Sequence, residues 1–235
     1  YNSNKNDKFI DLLKAIDNIK GVRFRISSIE PNLINDDIIQ LISNSKVFVP
    51  HFHIPLQSGS DTILKLMKRR YLTKYYQSII QRINNNIKNA CIGVDVIVGF
   101  PGESKELFNE TVDFIKSLNI SYLHVFTYSE RDNTIAQKMN NSVPIHVRKY
   151  RSKVLRNLSD KKKRYFYQEN IGLIKEVLFE NQVIDGYIYG FSENYIKVQT
   201  KYKSDLINSF QKVIIKDIEQ NKITYAQGTL TNNRL

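Results

Sequence analysis

Two short polar stretches carry residue types suited to holding a ligand. Gln57, Ser58, Gly59 and Ser60 follow an apolar run, Val47 to Leu56, and precede a helical pattern with Ile63, Leu64 and Met67 on one face. Gly99-Phe-Pro-Gly-Glu103 follows a second apolar run, Ile92 to Val98. It precedes a helix that Ser104 can cap and whose inner face is Leu107, Thr111, Ile115 and Leu118. Each stretch is thus a turn between a strand and a helix. In a parallel α/β layout such turns lie at the carboxyl ends of the strands, where ligands bind. Gly59 lets the backbone approach a ligand closely. The free N–H groups opening the next helix favour anionic groups. Two such turns in successive βα units argue for one cofactor site at one rim. Glu30 ends a strand over 22–29 ahead of Pro31, which places it on the same rim. Arg69 and Arg70 close the short helix after Ser60, and a guanidinium can fork onto a carboxylate.

Other chemistry-bearing residues read more blandly. His51 and His53 are two apart on a strand and share a face. They could form a metal pair, but no third ligand is evident, and hydrogen bonding inside a barrel is the favoured reading. His124 reads the same way, so no metal site is expected. Glu103 reads as a charge at a helix start rather than a catalytic base. The single cysteine, Cys91, precedes a strand on the side away from the rim and reads as an inert buried thiol. One cysteine excludes a disulfide framework and makes a cytoplasmic setting the default. It also leaves no iron–sulfur or structural zinc site built by these residues alone, since each takes about three or four Cys/His ligands.

The elements that must position these residues follow from periodicity. Helices are expected over 7–20, after Asn35, after Ser60, from Thr73 and over 104–118, alternating with strands over 22–29, 47–56, 92–98 and 121–128. That is βα repetition with parallel, buried strands, hence a barrel or part of one. The chain opens on a helix and does not begin with Met, so a barrel lacking its first strands is expected. Residues 144–170 read as a long basic helix, with nine Lys/Arg from Arg148 to Arg164 against Asp160. After Gly172 the period becomes strand-like, with short strands over 174–179, 186–190, 195–199, 211–215 and 223–226. These fit a small OB-like β-barrel of about 60 residues. The division is therefore 1–143, 144–170 and 171–235.

The formal charge of +12 fits a polyanionic partner such as nucleic acid. Lys161, Lys162, Lys163 and Arg164 on the helix, with Tyr195 and Lys197 in the barrel, pair cations with rings that can stack on RNA bases. A lysine-rich solubility surface is the competing explanation of the charge. No apolar run approaches the ~20 residues that span a membrane, and the polar opening, Tyr1 to Lys8, is no secretory signal.

Five blocks occur together in one order: Ser27-Ser-Ile-Glu-Pro31, His53-Ile-Pro-Leu-Gln-Ser-Gly-Ser-Asp61, Met67-Lys-Arg-Arg-Tyr71, Asp95-Val-Ile-Val-Gly-Phe-Pro-Gly-Glu103 and His124-Val-Phe-Thr-Tyr-Ser-Glu-Arg131. Together they resemble the radical S-adenosylmethionine (SAM) tRNA methylthiotransferases, and the terminal β-domain resembles that family's RNA-binding TRAM domain. Gln57-Ser58 resembles the tRNA-modifying branches. Tyr122-Leu-His-Val-Phe-Thr-Tyr128 resembles the branch acting on N6-threonylcarbamoyladenosine beside the anticodon, with the isopentenyladenosine branch as the alternative. The resemblance implies SAM and two [4Fe–4S] clusters as cofactors, with hydrogen abstraction at adenine C2 by a 5′-deoxyadenosyl radical. It implies tRNA, through its anticodon stem-loop, as substrate, and a reductase and a sulfur donor as further partners. It implies SAM contacts by Glu30, Gln57, Ser58, Arg69, Val98, Gly99 and Phe100. The sequence departs from the family in lacking the Cys-x-x-x-Cys-x-x-Cys loop and the three further cluster cysteines. The chain on its own is therefore expected to be inactive. A non-catalytic RNA-binding relative is the reading from another class.

Overall fold

The computed structural model describes residues 8–218 and 225–231. They form two compact units, Tyr1–Ser159 and Asp160–Leu235.

The first unit is built on βα repetition. Helix α1 (Phe9–Asp17) leads into strand β1 (Phe24–Ile26), then α2 (Asp36–Asn44), β2 (Phe48–His53), α3 (Asp61–Leu66) and α4 (Thr73–Asn86). Strand β3 (Cys91–Val98), α5 (Lys105–Ser117) and β4 (Tyr122–Thr127) complete the series. The four strands pair in parallel in the order β1-β2-β3-β4. Both expected caps are present: Asn35 Oδ1 accepts from the Ile38 N–H at 3.0 Å, and Ser104 Oγ from the Leu107 N–H at 3.2 Å.

One face of the sheet is packed dry against the helices. Phe52, Ile92, Val94, Val96 and Val98 have no exposed surface and meet Tyr76, Ile79, Ile80, Ile83 and Ile115. Strand β1 is shorter than the sequence suggests. Its register slips between Phe24 and Ile26, and Ser28 turns to φ +53°, so regular pairing ends at Ile26, with a single further bond from the Ile29 N–H to the His53 carbonyl at 3.0 Å. On α5 the buried face falls on Phe108, Thr111 and Ile115, leaving Leu107 half-buried.

Helix α6 (Ile145–Gln168) runs from the first unit into the second. Leu155 lies in the core of the first unit with Val154 and Leu158 beside it. Among the described residues, no helix is long and apolar enough to cross a membrane.

In the second unit, β5 (Ile174–Ile184), β6 (Tyr187–Ser192), β7 (Lys197–Lys201), β8 (Phe210–Ile218) and β9 (Ala226–Leu230) close into a barrel in the order β5-β6-β7-β9-β8. Val177, Phe179, Ile188, Val198, Val213 and Ile215 fill it. Asp185 and Gly186, both at positive φ, make the two-residue turn joining β5 to β6, the geometry that matches strand twist. Strand β7 begins two residues later than expected. Tyr195 adopts φ +65° in a turn in which its N–H donates to the Ser192 carbonyl at 2.9 Å. Of the strand expected over 223–226, residues 223 and 224 lie outside the described residues, and β9 starts at Ala226.

Candidate functional site

Beyond His53 the chain continues to pair with β3, which fixes the first turn. The N–H groups of Leu56 and Gln57 both donate to the Asp95 carbonyl, at 3.1 and 2.8 Å, and the Ile97 N–H donates to the Gln57 carbonyl at 2.9 Å. Gln57 then turns to φ +70°. Two phenols from the α3–α4 segment hold the outer carbonyls. Tyr76 Oη donates to Ile54 at 2.7 Å, and Tyr71 Oη lies 2.9 Å from the Pro55 carbonyl and 3.1 Å from that of Leu56. Burial pushes both phenols above their ordinary pKa, so they remain donors.

The turn is docked on α5. Ser58 Oγ and the Gly59 N–H each lie 3.2 Å from Thr111 Oγ1, and Ser60 Oγ donates to Glu110 at 2.6 Å. Ser58 is fully buried. Its hydroxyl therefore supports the turn from behind, whereas the Gln57 side chain faces the cleft in front.

That cleft, about 540 Å³, is lined by Gln57, Leu66, Met67, Arg69, Phe100 and Tyr128, with Ile97, Phe126 and Met139 among its apolar walls. Phe126 is 53% exposed, offering a flat apolar surface. The Tyr128 hydroxyl is buried without a hydrogen-bond partner among the described residues, a polar group left for a ligand. Arg69 reaches from the rim, with Nη2 3.2 Å from Glu30 Oε1 and Nε 3.3 Å from Tyr71 Oη. The structure thus brings together Glu30, Gln57, Arg69 and Phe100. Arg70 instead lines a separate groove with Asn32, Lys74 and Tyr75.

The second turn is placed differently from the sequence expectation. Val98 points into the helix-covered core with no exposed surface. Gly99, at φ +78°, is covered by Arg148, whose Cγ would lie 2.3 Å from an added Cβ. Ile97, which alternates with Val98, takes its place on the cleft side. Phe100 remains in the cleft, edge-on to Tyr128 with ring centroids 5.4 Å apart.

Glu103 does stand at a helix start, directly before the Ser104 cap of α5, but it is buried there. Its side chain is wholly buried and ion-paired with Arg151 Nη1 at 2.6 Å, and it accepts the Gly99 N–H at 2.7 Å. Burial pushes its carboxyl pKa up, against the opposing pull of the Gly99 N–H and Arg151. Arg148 is equally committed. It bonds the carbonyls of Val143 and Tyr128, the Glu130 carboxylate and Ser142 Oγ, and its guanidinium lies 5.3 Å from the Tyr128 ring centre. Sequence spacing gave no sign of either arginine's role, because each partner lies on a different element.

Further down the strands, the face that carries Ile97 and Phe126 at the cleft becomes polar. His51 Nε2 lies 2.9 Å from Tyr122 Oη, and His53 Nε2 lies 2.6 Å from Asp95 Oδ1. Burial, with Arg25 nearby, lowers the His51 pKa to about 3; burial also lowers that of His124. Cys91 opens β3 and is buried.

In the second unit cations and rings alternate. Lys163 Nζ sits 5.4 Å from the Tyr167 ring centre, Tyr167 Oη accepts the Lys197 N–H at 3.0 Å, and Lys197 Nζ sits 5.1 Å from the Tyr189 ring centre. Tyr195 stacks on Phe191 at 4.8 Å between centroids and 15° between planes. Lys161 is exposed, while Lys162 and Arg164 are half-buried; burial lowers the Lys162 pKa.

Residues 2–115 match the profile of the radical SAM superfamily. That stretch, just under half of the chain, is similar to radical SAM domains, and the chain as a whole is similar to tRNA methylthiotransferases. The threonylcarbamoyladenosine tRNA methylthiotransferase MtaB of Bacillus subtilis (strain 168) is 39% identical over 217 residues, covering 90% of this chain and 48% of that protein. The Aquifex aeolicus (strain VF5) protein of the same name is 38% identical over 202 residues, covering 85% and 48%. The tRNA-2-methylthio-N(6)-dimethylallyladenosine synthase of Endomicrobium trichonymphae is 33% identical over 218 residues, covering 92% and 51%. The chain spans about half the length of these curated relatives. Among solved structures, coproporphyrinogen III oxidase from Escherichia coli, titled a radical SAM enzyme, aligns at a TM-score of 0.48 and 16% identity over 63% of this chain and 32% of that one.

Proposed function

We propose that this chain belongs to a tRNA-modifying transferase that places a methylthio group on C2 of N6-threonylcarbamoyladenosine next to the anticodon. The observation that carries the reading is the cleft at the carboxyl ends of β2–β4, where Gln57, Arg69, Phe100 and Phe126 stand together on a chain similar to threonylcarbamoyladenosine methylthiotransferases. Methylthiolation of isopentenyladenosine is the second reading, supported by the similarity to the dimethylallyladenosine synthase. In this reading residues 1–143 act as part of a radical SAM barrel. The basic helix 144–170 and a TRAM-like barrel, 171–235, bind the anticodon stem-loop in the cytoplasm.

The residues present fit SAM. The flat Phe126 ring beside Ile97 suits an adenine ring, the Tyr128 hydroxyl, without a partner among the described residues, suits a polar edge, and Arg69 suits a carboxylate. When bound, this cofactor would supply the hydrogen-abstracting radical and the methyl group. The chain's own residues bind and orient it: Gln57 is held by β3, and Arg69 by Glu30 and Tyr71. The residues present do not fit the two [4Fe–4S] clusters, since Cys91 is the sole cysteine and is buried. These 235 residues by themselves are expected not to cleave SAM, and the complete reaction calls on cluster ligands, a reductase and a sulfur donor from elsewhere. Filling the cleft by Met139→Trp is expected to weaken SAM binding at least about tenfold, the scale of a lost apolar subsite. Unchanged affinity by calorimetry would remove SAM from this cleft.

The test of the reaction is nucleoside mass spectrometry of total tRNA from cells with and without the gene. Loss of the methylthio form of threonylcarbamoyladenosine, with its precursor persisting, is the expected result. Loss of the isopentenyladenosine derivative would favour the second reading, and no change in either would overturn both. For the RNA surface, the triple change Lys161→Ala, Lys163→Ala and Arg164→Ala is expected to lower the slope of log affinity against log salt by about 2. Filter binding with tRNA at graded salt reads this directly, and an unaltered slope would take the helix out of the interface.

A further inference from the structure

A second constellation lies further down the sheet face that carries the cleft, two residues before the cleft-lining Ile97 and Phe126, and none of its residues lines the cleft. It comprises His53 at the end of β2, Asp95 in the middle of β3 and His124 on β4. Register places them together: His53 stands opposite Gly93, two residues from Asp95, and Asp95 stands directly opposite His124. All three project from the face opposite to the buried Phe52, Val94, Val96, Leu123 and Val125. His53 Nε2 lies 2.6 Å from Asp95 Oδ1, and the two imidazole centroids are 5.1 Å apart. One donor atom from each residue falls within 4.8 Å of the others.

We propose that His53, Asp95 and His124 form a binding site for one divalent transition-metal cation. Neighbouring strands lie about 4.8 Å apart, and that spacing alone brings ligands from three adjacent strands to nearly the right separation. A cation with bonds of about 2.0–2.2 Å draws ligand atoms to within roughly 3–4 Å of one another. Rotation of the exposed His124 ring is enough to close the remaining gap. The donor set is two imidazole nitrogens and one carboxylate oxygen. That set suits zinc, iron, nickel or copper, and it holds too few oxygens for calcium or magnesium. Ligands carried on paired strands are held more rigidly than ligands on loops.

The surroundings are those of a ligand shell. Tyr122 lies edge-on to His124 at 5.2 Å, and its hydroxyl is held by His51 at 2.9 Å, which restricts the outermost ligand. In the metal-free arrangement the His53–Asp95 hydrogen bond occupies the position a cation would take, and binding replaces that contact, with the neutral imidazole carrying its N–H on Nδ1. With three protein ligands among the described residues and an exposed His124, at least one coordination position remains open to water or a small oxygen ligand. This places the site in the chemically active class of metal centres rather than the closed structural class.

The test is titration of the tag-free chain with Co²⁺ as a spectroscopic probe, followed by displacement with Zn²⁺. The expected result is visible d–d absorption saturating at one equivalent per chain and abolished by Zn²⁺. Affinity should fall at least about tenfold in His53→Ala, Asp95→Ala and His124→Gln, and be unaltered in His146→Ala on α6. Where a thermal melt shows that His53→Ala or Asp95→Ala has lost its fold, His124→Gln decides, since that side chain is exposed and no core depends on it. Absence of the absorption at a hundredfold excess of Co²⁺, or full binding retained in folded His124→Gln, would overturn the proposal.

Discussion

Replacing Arg151 by methionine is expected to destabilise the first unit by about 3–5 kcal/mol, the cost of leaving a buried charge without its partner. At roughly 2–4 °C per kcal/mol for a chain of this size, the melting temperature should drop by about 6–20 °C. Glu103 has no exposed side-chain surface, and its carboxylate rests on two donors, Arg151 Nη1 at 2.6 Å and the Gly99 N–H at 2.7 Å. Its Oε1 is already buried without a partner among the described residues. Removing Arg151 therefore leaves one hydrogen bond to hold a dry anion, and burial, which already raises the Glu103 pKa, then acts nearly unopposed. A carboxyl whose folded-state pKa lies above its unfolded value stabilises fully at pH below the unfolded value. That stability is lost as pH rises through the folded value. The variant's deficit should thus be smaller near pH 5 and larger near pH 8. Adding Glu103→Gln, which removes the stranded charge, should recover part of the loss. Urea melts at the two pH values read all three expectations. A deficit under 1 kcal/mol at pH 8 would mean that the buried pair does not support this unit.

The pair also shows where sequence reading stops. The strand–turn–helix order, the caps at Asn35 and Ser104 and the expectation of a terminal β-barrel all follow from local signals, and all stand in the structure. Glu103 sits at a helix start, where an acid is favourable in its own right. Nothing local shows that an arginine 48 positions away reaches it. Gly99 looks like a ligand-facing glycine until Arg148 is seen lying over it. Ser58 reads as a ligand contact from composition, yet strand pairing beyond His53 rotates its hydroxyl toward Thr111 and leaves Gln57 in front. Asp95 is the instructive omission. A lone acid in the apolar strand Ile92–Val98 was visible, but its meaning depends on the register that sets it beside His53 and His124. Periodicity identifies which face a residue occupies, and only strand pairing decides which residues share that face at the same height.

Gly59→Ala is expected to cost about 1–3 kcal/mol and Gly59→Val more, because the turn is already in contact with a helix it cannot displace. A Cβ at this position would lie 2.8 Å from Thr111 Cα, 3.0 Å from the Thr111 carbonyl oxygen and 3.1 Å from Phe114 Cβ. Two of these atoms are main chain, and α5 is anchored by Phe108, Thr111 and Ile115 in the core, so the helix resists moving and the turn must yield. Yielding breaks the 3.2 Å bond from the Gly59 N–H to Thr111 Oγ1 and strains the adjoining Ser58 and Ser60 bonds. Because Gln57 is two residues away and lines the cleft, a displacement that costs stability should also weaken SAM, again by about tenfold or more, since a shift of about 1 Å is enough to undo a positioned polar contact. The backbone origin of the clash gives a sharp control. Shortening the opposing side chain by Thr111→Ala should not rescue Gly59→Ala, whereas a clash with a side chain would be relieved by it. If Gly59→Ala melts with the parent, or if Thr111→Ala restores it, the turn is not seated on α5 as described. The glycine would then serve backbone approach to a ligand rather than docking of the turn on the helix.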